Sequence, residues 1–363
     1  MKIRYDFFSG NRIYFNLLLL LGIGTWGCQQ TETPPAPDTS GLRGLFVLNE
    51  GRWQQNDASI SFFNPEADYA AEHYLFSRVN GVRLGDVAHS AVREADTLFV
   101  VVNNSRLVYK ILMPSLRLLG QVALPASASP REFLRLGPRK AYVNSLLDGT
   151  IYVIDPAIMQ LLPTRIAVEN WMESMHELGG KVWVSCGNYA YPNRNTKLAI
   201  VDPQTDRLEG YLELPIENPG PMLTLPDGRL LVGLRGNYID TNSGLAVVDP
   251  QTRRVDTLIR LAGSLYGMND LPDGIWLFND STVTRFDPQT FGVRYQYLTR
   301  EQLGAGARDW LYGACWDAGR QQYYVCNAAN AAVAGSVVVL DAQRQRIRTL
   351  QAGVLPKRVI VYP

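Results

Sequence analysis

Apolar runs closed by Asp-Pro and a polar pair return along most of this chain. They are clearest at Ala246-Val247-Val248-Asp249-Pro250-Gln251-Thr252, Ile200-Val201-Asp202-Pro203-Gln204-Thr205 and Arg285-Phe286-Asp287-Pro288-Gln289-Thr290. Looser copies stand at Phe62-Phe63-Asn64-Pro65, Ile111-Leu112-Met113-Pro114, Val153-Ile154-Asp155-Pro156 and Val339-Leu340-Asp341-Ala342, which makes seven. Measured at the Pro position, or at Ala342 in the last copy, the steps are 49, 42, 47, 47, 38 and 54 residues. A mean of about 46 is the length of four short strands with their turns, the repeat of a β-propeller blade.

Within one repeat the strands can be assigned as A to D, from the ring axis outward. In the fifth, Pro221 to Leu225 reads as strand A and Pro226-Asp227-Gly228 as a turn, Gly supplying the positive φ. Arg229 to Gly233, Gly244 to Val248 and Val255 to Ile259 then read as B, C and D. The first repeat opens at Gly44 to Asn49, which matches strand B, so its strand A is missing. A surplus apolar strand, Arg358 to Tyr362, follows the last repeat. Inserted beside the first, it leaves no free edge on either blade. The predicted fold is all-β, a single seven-bladed propeller over residues 42–363.

Alternating strand direction puts A–B and C–D turns on one rim and B–C and D–A loops on the other. The first rim is short and polar. The second carries long, uneven loops: Glu50 to Ala58, Gly187 to Thr196, Gly236 to Ser243 and Ala328 to Gly335 between B and C, and Ser77 to Gly85, Asn170-Trp171 and Thr299 to Trp310 between D and A. Trp53, Trp171, Tyr189, Tyr191, Tyr238, Tyr266, Trp310 and Tyr312 fall on this rim. Aromatic rings on loops of a rigid scaffold give contact area at small entropic cost, so this rim is the candidate site. Aligning the inner strands on their following turns puts Asp86, Arg131, Met172, Gly220, Tyr266, Tyr312 and Arg358 at the channel mouth, with Glu132 and Glu173 one step inside. Arg131, Asn188 and Arg194 are candidate hydrogen-bonding partners for a ligand. Arg131, Glu132 and Glu173 could equally pair with one another across the channel.

Composition narrows the classes. The net charge is +1, with 35 Lys and Arg dispersed against 34 Asp and Glu, so the basic footprint of a nucleic-acid binder is absent. Three histidines, His73, His89 and His176, are too few and too separated for a zinc cluster. His89 and His176 fall on inner strands. No Gly-x-Ser-x-Gly elbow, phosphate-cradling loop or Cys-x-x-Cys occurs. A calcium centre would need oxygen ligands to converge, for which Asp86, Glu132, Glu173 and Asn269 are candidates.

The N-terminus reads as a targeting segment. Lys2, Arg4 and Arg12 precede an apolar run, Ile13 to Ile23, too short to span a bilayer well. It ends at Thr25-Trp26-Gly27-Cys28, which resembles a bacterial lipoprotein signal with Cys28 as the lipidated residue of the mature chain. An ordinary secretory signal with a chance cysteine is the alternative. Residues 29–41, with three prolines between Gln29 and Ser40, read as an extended tether. At about 3.3 Å per residue it reaches up to about 40 Å from the membrane. An exported chain sits where disulfides persist. Cys315 and Cys326 flank the turn at Asp317 to Arg320, so a bridge across that hairpin is one expectation and two free thiols the other.

Tyr142-Val143-Asn144, Tyr324-Val325-Cys326-Asn327 and the Asp-Pro turns resemble the YVTN-repeat, YncE-like propellers. Leu48-Asn49-Glu50-Gly51, Asn80-Gly81 with Leu84-Gly85-Asp86, and Ser129-Pro130-Arg131 resemble more narrowly the propeller lipoproteins of gut-type bacteria, among them the BtuG-type cobalamin-capturing proteins. The resemblance covers Leu45 to Pro363. It implies a monomeric, non-enzymatic, outer-membrane lipoprotein at the cell surface or periplasmic face. No cofactor is implied. Its ligand would be cobalamin, another corrinoid or a similar bulky nutrient, and its partner a TonB-dependent transporter. A protein-binding propeller without a small ligand is the rival, and a calcium-dependent lactonase or quinoprotein-like enzyme the third reading.

Overall fold

The computed structural model describes residues 39, 41–187, 195–237, 242–279 and 282–363. Seven four-stranded antiparallel sheets follow one another around a ring. Six are simple meanders. The first is completed by the C-terminal strand, Pro356–Tyr362, which lies beside Gly44–Asn49 with Leu45 opposite Val361 and Val47 opposite Val359. Its strand A thus comes from the far end of the chain, as the surplus apolar run predicts.

The ring closes through its inner strands. Those of blades 2 to 7 are Ala88–Glu94, Pro130–Gly137, Met172–Leu178, Pro219–Thr224, Gly267–Leu271 and Leu311–Asp317. Each touches the next, and the C-terminal strand touches those of blades 7 and 2. Seven apolar clusters fill the wedges between blades, one per interface. The wedge between blades 7 and 1 joins Leu45, Val47, Phe63 and Val359 to Tyr324, Cys326, Val337 and Val339. Across other wedges Phe99 stacks on Phe133 at 4.3 Å and Trp276 on Tyr323 at 4.8 Å.

Burial follows radial position. Strand B of blade 2, Thr97–Val102, is buried along nearly its whole length because neighbouring blades cover both faces. Strand D, Arg117–Ala123, alternates between exposed and covered residues, the period of a sheet edge facing water on one side.

The Asp-Pro pattern builds the C–D turns. Asp249 accepts from the amides of Gln251 (2.7 Å) and Thr252 (3.1 Å), and Asp287 from those of Gln289 (2.9 Å) and Thr290 (3.2 Å). The aspartate side chain takes the place of a backbone acceptor and fixes the reversal. One residue near the end of this turn has positive φ in every blade: Asp68, Leu116, Met159, Asp206, Arg253, Phe291 and Arg344.

Cys315 and Cys326 are unbridged. Asp317 pairs with Gln322, which sets Cys315 opposite Tyr324 and Cys326 opposite Gly313. The two thiols therefore stand two residues out of register, and Cys186 is buried in the wedge between blades 3 and 4.

Candidate functional site

Six inner strands begin with a register shift one step in from the loop-bearing rim. The shifts fall at His89, Arg131-Glu132, Glu173-Ser174, Gly220-Pro221, Tyr312 and Lys357. A bulge re-aims its side chain out of the sheet's alternation, and most of these residues line the central channel. Strand B supplies partners for the freed amides: Asn144 Oδ1 accepts from Glu132 N at 2.8 Å, and Ser185 Oγ from Ser174 N at 2.9 Å. Neighbouring inner strands are tied by Ser90 Oγ to Arg131 O (2.7 Å), Met175 N to Glu132 Oε2 (2.9 Å) and Ala314 N to Asn269 Oδ1 (2.8 Å).

The result is a funnel of about 570 Å³ to which all seven inner strands contribute. A chain of charges crosses its mouth. Arg131 Nη2 donates to both oxygens of Glu173 at 2.9 and 3.1 Å, and Arg235 Nη1 lies 3.6 Å from the same carboxylate. On the other side Lys357 Nζ is 3.3 Å from Glu50 Oε1. His89 joins the halves: its Nδ1 lies 3.0 Å from Glu50 Oε1, 3.0 Å from Lys357 Nζ and 3.3 Å from Arg131 Nη1.

Burial, with Arg131 and Lys357 beside it, holds the His89 imidazole down at about 4, so the ring is neutral above that pH. Burial opposes ionisation of Glu50, but Lys357, His89 and Arg131 outweigh it and keep the carboxyl at about 2. Burial lowers Lys357, with Glu50 pulling the other way. Burial raises the Glu132 carboxyl, Glu173 adding to the effect against the Met175 amide. Arg358 lines the funnel with its side chain exposed.

Around the mouth stand large apolar side chains. Trp53 (65 % exposed), Trp310 (47 %) and Tyr266 (37 %) belong to the loops of this rim, as do Val82, Leu147 and Val333. On the opposite rim Ile158 is the exposed counterpart among the described residues. Tyr312 is half-buried, with Lys357 Nζ 5.4 Å above its ring. Trp171 is also half-buried, at a positive φ of 70°, and its carbonyl accepts from Gly187 N.

Of the residues expected at the mouth, Arg131, Tyr266, Tyr312 and Arg358 line the funnel, as do Glu132 and Glu173, expected one step inside. Asp86 does not. Its carboxylate accepts from Gln54 N (3.0 Å) and Asn104 Nδ2 (2.7 Å), tying two rim loops together. Met172 turns into the wedge between blades 3 and 4. A side chain at Gly220 would meet Arg235 Nε at 2.9 Å, so that glycine makes room for the guanidinium. Asn188, Tyr189, Tyr191, Arg194, Tyr238 and Cys28 lie outside the described residues. His176 bonds Thr224 Oγ1 at 2.7 Å on the inner strands, while His73 bonds Ser61 Oγ at 2.9 Å away from the channel. The oxygen ligands Asp86, Glu132, Glu173 and Asn269 do not converge, since Asp86 stands on the rim and Asn269 is engaged with Ala314. Among the described residues no group of three or more His, Cys, Asp or Glu is placed to hold a metal ion.

Glu50, Arg235 and Lys357 complete the charge chain and escape a reading by strand period. Glu50 and Arg235 stand just past strands B, and Lys357 sits in the bulge before Arg358. Only Glu50 carries a sequence signal, within Leu48-Asn49-Glu50-Gly51.

No family model matches this chain, and no curated protein matches it. Solved structures do. A quinoprotein alcohol dehydrogenase-like protein from Bacteroides thetaiotaomicron superposes with a TM-score of 0.66 at 14% identity, over 88% of this chain and 78% of that one. Hydrazine synthase from Kuenenia stuttgartiensis gives 0.58 at 15%, over 72% and 85%. The extracellular domain of a candidate one component system from B. thetaiotaomicron gives 0.57 at 13%, over 88% and 42%. At these identities the likeness is one of fold.

Proposed function

We propose that this chain is a non-enzymatic, lipid-anchored outer-membrane protein that captures a corrinoid or similarly bulky nutrient on its loop-bearing rim for a TonB-dependent transporter. One observation carries the reading: exposed aromatic side chains and a funnel lined by both charged and apolar groups share the same face, while the opposite face has short turns. A pocket of this size suits a drug-sized group. A macrocycle therefore rests on the mouth against Trp53, Tyr266 and Trp310, and only a side group enters the funnel. The lipoprotein-like segment ending at Cys28 and the resemblance to YncE-like and BtuG-type propellers favour the membrane setting and the ligand class.

The test uses soluble protein beginning at Gln29, mixed with cyanocobalamin and passed over a gel-filtration column. Coloured ligand travelling with the protein is the expected result. Absence of comigration, together with recovery of an outer-membrane protein in a pull-down, assigns the rim to a protein partner instead.

A further inference from the structure

We propose that the funnel is an oxyanion site, receiving a carboxylate or phosphate group of the ligand among Arg131, Arg235, Lys357 and Arg358. This rests on the rim reading above and names the chemistry of the group that enters. The four cations come from blades 1, 3 and 5 and line one cavity. Three carboxylates line it too, Glu50, Glu132 and Glu173. Four cations against three carboxylates leave one positive charge in excess in a chain whose total is only +1.

The carboxylates are also the more committed groups. Glu173 is 4 % exposed and holds the guanidinium groups of Arg131 and Arg235, and Glu50 is 7 % exposed and holds Lys357 and His89. Glu132 accepts from Met175 N and Ser174 Oγ. Arg358 by contrast projects into the funnel with no carboxylate within ion-pair distance among the described residues, only the longer-range field of Glu132 reaching it, and Lys357 keeps 23% of its side chain accessible. An incoming oxyanion meets the accessible ends of Arg358 and Lys357, whereas an incoming cation finds Glu50 and Glu173 buried and already paired. Fixed cations in a recess with low-dielectric walls concentrate such a charge, and arginine suits carboxylate and phosphate alike.

The experiment titrates the protein from Gln29 onward with inorganic phosphate and, separately, with citrate. It is read by isothermal calorimetry at low ionic strength, with chloride of matched ionic strength as control. Saturable one-to-one binding of phosphate or citrate is expected, and the better of the two identifies the source of the charge. Arg358→Ala should weaken binding about tenfold, the loss of one charge-assisted contact, and Arg358→Lys should recover part of it. Thermal unfolding of the Ala variant should match the parent, since Arg358 is exposed and makes no ion pair among the described residues. The double variant Trp53→Ala, Trp310→Ala should bind these anions as the parent does, so loss of nutrient capture on the rim and loss of anion binding are separable results. Absence of saturable binding by either anion, or equal binding by Arg358→Ala and the parent, overturns the proposal.

Discussion

Replacing His89 by Gln should remove much of the protein's acid sensitivity between about pH 7 and about pH 4.5. The imidazole titrates near 6.5 when unconstrained and at about 4 in the fold, because burial and the two cations beside Nδ1 oppose its protonation. A folded value below the unfolded one means that the unfolded chain binds more protons in between. The associated stability is complete above 6.5 and is lost as the pH falls toward 4. At about 1.36 kcal/mol per unit the full gap is worth about 3 kcal/mol, of which about 2 kcal/mol falls between pH 7 and 4.5. Glu50 shifts in the same direction, but its loss belongs below 4.5, where the free carboxyl begins to protonate. Burial also depresses His176, and the raised Glu132 carboxyl opposes the trend. Both are common to parent and variant, so the difference between the two proteins isolates His89. Urea unfolding at the two pH values, followed by tryptophan fluorescence, reads it directly. Parent and variant losing equal stability on acidification would refute the account of the charge chain.

Other consequences are equally open to measurement. Ile360→Ala, in the closing strand and buried between Phe46 and its neighbours, should cost about 2–5 kcal/mol in chemical denaturation; a change below about 1 kcal/mol would argue against the C-terminal strand as part of the core. Trp53→Ala with Trp310→Ala should reduce cyanocobalamin binding at least about tenfold while stability moves by less than about 1 kcal/mol, because both rings are exposed. Burial pushes the thiols of Cys186 and Cys315 up to about 12 and raises that of Cys326 as well. Under non-reducing conditions the protein from Gln29 onward should therefore show three free thiols by mass spectrometry, slow to alkylate until denaturant is added. A loss of two mass units between Cys315 and Cys326 would contradict the register found here.

Blade number and closure were legible because their signals are local. Asp202, Asp249 and Asp287 each announce a turn by a side chain that caps it, and Gly44 to Asn49 had no inner partner until Arg358 to Tyr362 offered one. The rim was legible for the same reason, since loop length follows from where the apolar runs stop. The funnel lining was only partly so. A bulge sets two residues against one, and a period-two alignment cannot register the extra residue. Such an alignment puts Asp86 at the mouth and Met172 outside the core, and gives Lys357 no place beside Arg358. Arg235 lies outside any strand, and only the space left by Gly220 admits it. Cys315 and Cys326 depended on a pairing that the connection at residues 318–321 fixes, and it fixes them two residues apart.

Hydrogen–deuterium exchange on the protein with and without cyanocobalamin tests the central claim most directly, because it reports which face the ligand covers. Protection should appear in residues 50–58 and 299–310 and at the start of the inner strands around His89, Arg131 and Lys357. Protection confined to the C–D turns at residues 250–253 and 287–292, or none at a concentration that saturates any binding, would contradict it.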